Sequence, residues 1–106
     1  MYKPLAESLT IKTSAVHGLG LFADQKILEG TNLGMSHLKI GDTIFRTPLG
    51  GFINHANTPN CVKAELRMTD EDMKGHQYDY KKWNLLTSQD IEKGEELTVR
   101  YTFYHV

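Results

Sequence analysis

Short runs in which apolar and polar residues alternate dominate this chain. Leu9–Thr13 alternates in this way, and so do Cys61–Met68 and Leu97–Tyr101. Alternation with a period of two residues is typical of a β-strand that buries one face. No window carries an apolar stripe at helical spacing for more than about two turns. The pattern therefore predicts a mainly β protein made of short strands.

Glycine and proline mark the breaks between the other strand candidates. The segment His17-Gly18-Leu19-Gly20 is a glycine-rich loop, which predicts a hairpin between Leu9–Thr13 and a strand at Leu21–Ala23. Further short runs are Thr31–Met35, Leu38–Ile40, Thr43–Phe45 and Trp83–Thr87. The polar segment 69–82 predicts an exposed loop or hairpin tip, and Asp90–Glu96 predicts a turn.

Length and charge narrow the class of protein. The 106 residues fit a single domain covering 1–106, with 40% hydrophobic and 24% charged residues as in a globular protein. The formal net charge of −1 gives no drive toward nucleic acid or an anionic membrane. We therefore expect neither as a partner.

Cysteine and histidine usage gives no sign of a metal site. One cysteine, Cys61, excludes an internal disulfide and a cysteine-rich zinc site, and the five histidines lie far apart along the chain. We also find no apolar run near the ~20 residues of a membrane span and no secretion signal. The expected location is the cytoplasm, or the host nucleus if the protein is viral.

The segment from Gly50 to Cys61 concentrates unusual residue types. It holds two glycines, three asparagines, a histidine and a proline around the apolar pair Phe52-Ile53. Adjacent glycines allow a sharp turn or a close approach to the main chain, and Asn side chains bond to backbone groups that have left a ladder. The segment predicts either a structured loop that forms a polar pocket wall or a polar surface turn between strands.

Three motifs in order along the chain resemble the SET domain of protein lysine methyltransferases. They are His17-Gly18-Leu19-Gly20-Leu21-Phe22-Ala23, Asn54-His55-Ala56-Asn57-Thr58-Pro59-Asn60 and Gly94-Glu95-Glu96-Leu97-Thr98-Val99-Arg100-Tyr101. The resemblance covers residues 9–104 and is nearest to the minimal SET proteins of viruses and microbes. It implies a β-clip fold of small curved sheets with a C-terminal pseudoknot, in which the C-terminal segment passes beside the Asn-His loop.

The resemblance also implies a cofactor and a set of site residues. S-adenosylmethionine would bind His17, Gly18, Leu19 and Gly20, and its remaining contacts would come from Asn54, His55, Tyr101 and Phe103. Tyr101 matches the catalytic tyrosine, and Phe103 or Tyr104 would line the lysine channel. The implied substrate is a lysine side chain of a protein, with histones as one class.

Each of these residues also has a purely structural interpretation. Gly18 and Gly20 could be hairpin glycines, and Tyr101 a core aromatic with a bonded hydroxyl. Phe103 and Tyr104 could anchor the C-terminal segment. Cys61 with His55 could belong to a thiol hydrolase, although no third orienting group accompanies them.

Departures from the family pattern leave a second functional class open. Ala56 stands where a serine or cysteine is usual, and Arg100 where an aspartate is common. No cysteine cluster follows Tyr101, and the segment from Gly34 to Pro48, which shapes the peptide groove in relatives, is short. The groove is therefore incomplete, so we expect either a homodimer that supplies a wall or a loosely held substrate. A catalytically weak or inactive module that binds a peptide or partner is the alternative function.

Overall fold

The computed structural model describes residues 5–16 and 18–100. These residues form eight strands and one short helix, in the order β1 Leu9–Thr13, β2 Leu19–Ala23, β3 Asn32–Ile40, β4 Thr43–Arg46, α1 Pro48–Phe52, β5 Asn54–His55, β6 Cys61–Glu71, β7 Gln77–Thr87 and β8 Glu96–Val99. They make two four-stranded sheets, which confirms the predicted mainly β fold of small sheets.

The inner sheet has the strand order β1-β2-β8-β5. β1 and β2 form the predicted hairpin, with Thr13 opposite Leu19. β8 lies antiparallel to β2 and parallel to β5, where Asn54 pairs with Thr98 and His55 with Val99. The C-terminal part of the chain therefore passes beside the Asn-His segment, as expected, in the described residues up to Arg100.

The outer sheet has the strand order β4-β3-β7-β6, and all its pairs are antiparallel. β6 and β7 pair along their whole length, from Cys61 opposite Thr87 to Glu71 opposite Gln77. The segment 69–82 is therefore mostly strand, and the prediction of a loop there was wrong except at the tip. At that tip Asp72 Oδ1 accepts hydrogen bonds from the backbone N–H groups of Lys74 and His76.

β3 is one strand where the sequence pattern predicted two short runs. It contains irregularities between Asn32 and Gly34 and between Met35 and His37, and Gly34 has a φ of +114°. Such an irregularity changes which side chains face inward, so the period of two in the sequence is interrupted within the strand. This is why the pattern broke in the middle of a continuous strand.

Helix α1 occupies part of the segment predicted as a loop. Pro48 stands at its start, and the Thr47 side chain accepts a hydrogen bond from Gly50 N–H at 3.3 Å, as an N-cap does. A Cβ on Gly50 would overlap the carbonyl oxygen of Ser36 and lie 2.7 Å from Cε1 of His37. Gly50 thus allows α1 to lie directly on β3, which is the close approach that the glycine pair predicted.

The core lies between the two sheets and α1. Its buried apolar members are Leu9, Leu21, Ala23, Ile27, Leu33, Leu49, Ile53, Cys61, Leu85, Ile91, Leu97 and Val99. Both sheets contribute to this cluster, so the described residues behave as one packed unit. None of the helical segments among the described residues has the length and apolar character that a membrane crossing requires.

Candidate active site

The three sequence motifs meet directly through the side chain of Asn54. Its Nδ2 group donates to the backbone carbonyl of Leu19 at 3.2 Å and to the carboxylate of Glu96 at 2.9 Å. Leu19 lies in the first motif and Glu96 in the third, so one amide side chain joins all three. We call this group, Leu19, Gly20, Asn54 and Glu96 together with Ser14, the motif junction.

Glu96 is the acceptor at the centre of the motif junction. Ser14 Oγ lies 2.7 and 2.8 Å from its two carboxylate oxygens and donates to them. A Cβ on Gly20 would overlap that carboxylate and would lie 3.0 Å from Asn54 Nδ2. Gly20 is therefore needed for the close approach of the three segments, which is a stronger requirement than that of a plain hairpin glycine.

Asn60 bonds to the backbone of β8, the strand that carries Glu96. Its Nδ2 group donates to the Glu96 carbonyl at 2.9 Å, and its Oδ1 accepts from Thr98 N–H at 2.8 Å. The side chain is buried, so these bonds satisfy groups that water does not reach. The Asn-His segment thus holds β8 by a side chain as well as by the parallel pairing of β5.

Sequence reasoning did not single out Glu96, Ser14 or Asn60 as site residues. Glu96 and Asn60 stood inside the motifs that were quoted, but nothing in their spacing showed that they bond to another motif. An asparagine after proline in a turn is a signal for backbone capping, and that signal was available at Asn60.

Gly18 and Leu19, at the N-terminal end of the first motif, are open to solvent. Gly18 has a φ of +47°, and a Cβ there would meet no atom within 4 Å. The Leu19 side chain is exposed although it is large and apolar. This surface therefore offers main-chain groups and apolar area to a ligand.

His55 is the last residue of β5 and pairs with Val99 of β8. The side chain is half-buried, and its Nε2 lies 3.3 Å from Oδ1 of Asn57. Its backbone belongs to the parallel pairing with β8. The residue is therefore held in place beside Asn54 by both main chain and side chain.

Cys61 is unsuited to nucleophilic chemistry. It is fully buried, and burial raises the pKa of its thiol to about 12, although a hydrogen bond from the Thr98 backbone acts in the opposite direction. A thiol that stays protonated and out of contact with solvent is not a nucleophile at neutral pH. The structure therefore contradicts the thiol hydrolase reading of Cys61 and His55.

His37 is the described histidine with the most perturbed titration. Burial, followed by the charges of Lys63 and Arg46, lowers its pKa to about 4. Its Nδ1 lies 3.0 Å from the hydroxyl of Ser36. The ring is thus neutral at physiological pH and is part of the contact between β3 and α1, away from the motif junction.

A separate cleft of about 490 Å³ lies at the outer end of the outer sheet. Its lining includes Lys39, Arg67, Asp79 and Lys81. None of the three motifs reaches the cleft. Within residues 5–16 and 18–100, no group of three or more His, Cys, Asp or Glu residues is arranged to hold a metal ion.

Several predicted site residues lie outside the described residues. These are His17, Tyr101, Phe103 and Tyr104. Of the described ones, Leu19, Gly20 and Asn54 contact one another or Glu96 at the motif junction, and Gly18 and His55 are the neighbours of these residues in the chain. Val99, the last residue of β8, precedes Tyr101 by two positions.

Comparison with known proteins identifies relatives at the level of sequence and of fold. The family model described as SET domain matches residues 34–102. The human and mouse proteins named Histone-lysine N-methyltransferase 2D are each 36% identical to this chain over an alignment of 84 residues, and the match covers 74% of this chain and 1% of the relative. The chain thus spans only about a hundredth of the length of these relatives.

A solved structure shows the same fold. The crystal structure of a candidate histone methyltransferase from Plasmodium falciparum superposes with a TM-score of 0.64, covering 92% of this chain and 95% of that one. The sequence identity is 14%, so this likeness concerns the fold alone.

Proposed function

Because this chain belongs to the SET domain family, we propose that it is an S-adenosylmethionine-dependent protein lysine N-methyltransferase. The observation that carries the proposal is the motif junction, where Asn54 bonds to both Leu19 and Glu96. We further propose that residues 1–106 form a single SET domain with its motif core at 9–104. The proposed substrate is a lysine of a protein, with histones as the first class to test.

The proposed cofactor site is the surface formed by the segment 17–20 and by Asn54 and His55. Asn54 directs its Nδ2 group inward to Leu19 and Glu96, so its role is to fix the backbone that faces the ligand. Gly18 leaves its backbone open, and Leu19 offers apolar area. S-adenosylmethionine, when bound, supplies a methyl group made electrophilic by its positive sulfonium.

The proposed catalytic residue is Tyr101, with Phe103 and Tyr104 as walls of the lysine channel. Tyr101 follows β8, which Asn60 and β5 hold in place. In the proposed mechanism the Tyr101 hydroxyl aligns the attacking amine, and alignment supplies much of the rate gain in a displacement. The lysine, with a reference pKa of ~10.4, must lose its proton, and an apolar channel lowers that pKa by desolvation.

One structural observation favours the alternative of a binding module. β3 and β4 are joined by the two residues Gly41 and Asp42, with Ile40 opposite Thr43. This tight hairpin holds no insert that could shape a peptide groove. A domain that binds a protein partner without transferring a methyl group would need no such insert.

Replacing Tyr101 by phenylalanine separates the two functions. We expect Tyr101→Phe to bind S-adenosylmethionine with nearly unchanged affinity in calorimetry and to lose at least about 100-fold in methyl transfer, as groups that align or polarise a reacting atom do. Transfer is measured with radiolabelled cofactor on histones and on a cell lysate. Equal turnover of both proteins would refute the role of Tyr101, and cofactor binding without transfer by the native chain would support the module.

A further inference from the structure

The outer sheet has two faces of different character. Because cross-strand partners lie on the same side of a sheet, the register assigns Phe45, Leu38, Lys82 and Leu66 to one row of one face. The next row of that face holds Ile40, Tyr80 and Met68, and Val62 and Leu86 lie further along it. We call this side the apolar face.

The opposite side of the sheet carries the contacts with the rest of the protein. Leu85 lies on that side and belongs to the core, and His37 lies there against α1 at Gly50. This side is also strongly charged, and the charged residues that the register assigns to it are Arg46, Lys39, Lys63, Lys81, Arg67, Glu65, Asp79 and Glu71. We call it the core side.

The apolar face is accessible to solvent in the described structure. The exposed fractions are 51% for Phe45, 47% for Val62, 42% for Ile40 and 41% for Leu66. An antiparallel sheet that packs one face on a core normally has polar residues on the other. Here the face that points away from the core is apolar instead of polar. A contiguous apolar surface of this kind marks an interaction site.

We propose that the apolar face binds a second copy of this chain, so that the outer sheets of two chains pack face to face. Four strands spaced about 4.8 Å apart and up to 11 residues long, at about 3.3 Å per residue, span on the order of 500–700 Å². A stable interface uses about 800 Å² of each partner, so the face is large enough to account for most of one.

The charges of the apolar face favour a copy of itself as the partner. Among the described residues of this face the register finds one cation, Lys82, and one anion, Asp70. A two-fold axis lying between the two sheets and bisecting the line from Lys82 to Asp70 would set each lysine opposite the aspartate of the other chain. An interface of this symmetry must be self-complementary, and an apolar surface with one balanced charge pair meets that condition.

This inference does not depend on the proposed enzymatic function. It gives a location to the homodimer that the short peptide groove suggested, but it rests on the outer sheet alone. The proposed cofactor site belongs to the inner sheet, so both copies would keep it.

Sedimentation velocity over a hundredfold range of concentration tests the proposal on the 106-residue chain. We expect a dimer at micromolar concentration. Phe45→Glu should raise the dimer dissociation constant by about 30-fold per copy, and by roughly 1000-fold in total because a two-fold interface contains the residue twice. Ile44→Glu is the matched control, since Ile44 is the exposed neighbour whose side chain lies on the core side.

A charge exchange gives a second, independent measurement. Asp70→Lys should weaken the dimer, and the double variant Asp70→Lys with Lys82→Asp should restore it. Circular dichroism and thermal melting of every variant establish that the chains are folded.

Two results would overturn the proposal. One is a dimer that survives Phe45→Glu and Leu66→Glu unchanged, since it would use another surface. The other is a chain that stays monomeric at every concentration, which would indicate that the apolar face does not bind a second copy.

Discussion

A methyl group added to Gly20 tests whether the three motifs share one hydrogen-bonded unit. The Cβ of Gly20→Ala would overlap the Glu96 carboxylate, so that side chain must move. Moving it breaks the bonds from Ser14 and Asn54, which are now 2.7 to 2.9 Å long. A hydrogen bond to a charged group contributes about 1.5–3 kcal/mol, and half-burial places these two near the lower end. Gly20→Ala should therefore lower the free energy of unfolding by about 3 kcal/mol.

The same substitution should be far less harmful once Glu96 is shortened. In a Glu96→Ala background the overlapping carboxylate is absent, and the closest remaining contact of the new methyl is Asn54 Nδ2 at 3.0 Å. The added cost of Gly20→Ala should then fall below about 1 kcal/mol, partly offset by the lower entropy of the unfolded alanine chain. The coupling between the two positions is thus about 2 kcal/mol.

Urea denaturation of the native chain, both single variants and the double variant measures this coupling. With an m value of about 1.5 kcal/mol/M, a loss of 3 kcal/mol lowers the midpoint by about 2 M. Strict additivity of the two substitutions would show that Gly20 and Glu96 do not share the motif junction, and the account of the site would then be wrong.

Three further measurements follow from the described contacts. Gly50→Ala should lower the free energy of unfolding, measured in urea, by about 2 kcal/mol or more because its methyl would overlap the fixed Ser36 carbonyl. Gly51→Ala, whose methyl meets no atom within 4 Å, should raise it by about 0.5–1 kcal/mol through helix propensity, and equal effects of the two variants would refute the close approach of α1. His37 is uncharged in the folded state above its pKa of about 4 but protonates below about 6.5 when unfolded. The free energy of unfolding from urea denaturation should therefore fall by up to about 3 kcal/mol as pH drops through this window, and His37→Gln should flatten that part of the profile. Cys61 should not react with a thiol reagent at pH 8 until urea unfolds the chain, and rapid labelling of the folded protein would contradict its burial.

The sequence pattern located β1, the inner half of β6 and β8, in which apolar and polar residues alternate. One side of β1 and of the inner half of β6 reaches the core, whereas Leu97, Thr98 and Val99 of β8 are all buried. The outer halves of β6 and β7 project beyond the core, so their residues Thr69–Glu71 and Gln77–Asp79 are exposed on both sides. A strand with polar residues on both sides has a sequence like that of a loop. Tyr78 and Tyr80, however, are residue types typical of strands and indicated a strand here.

The sequence predicted the segments that form the candidate site but not the hydrogen bonds that join them. Motif order indicated that Gly20, Asn54 and Tyr101 belong together, because a known family contains that combination. The bonds from Asn54 and Ser14 to Glu96 span 42 and 82 residues of sequence, and no local rule reaches that far. The helix at Pro48–Phe52 was missed because two glycines oppose helix formation, while Thr47 before Pro48 is a recognised helix start.

The placement of β8 between β2 and β5 has a consequence for biosynthesis. The hairpin of β6 and β7 pairs residues close in sequence and can form while the chain is still growing. The inner sheet, in contrast, remains two disconnected pieces until residues 96–99 leave the ribosome and fill the gap between them. Until then the nascent chain exposes the edges of both pieces, which leaves it open to pairing with the wrong neighbour.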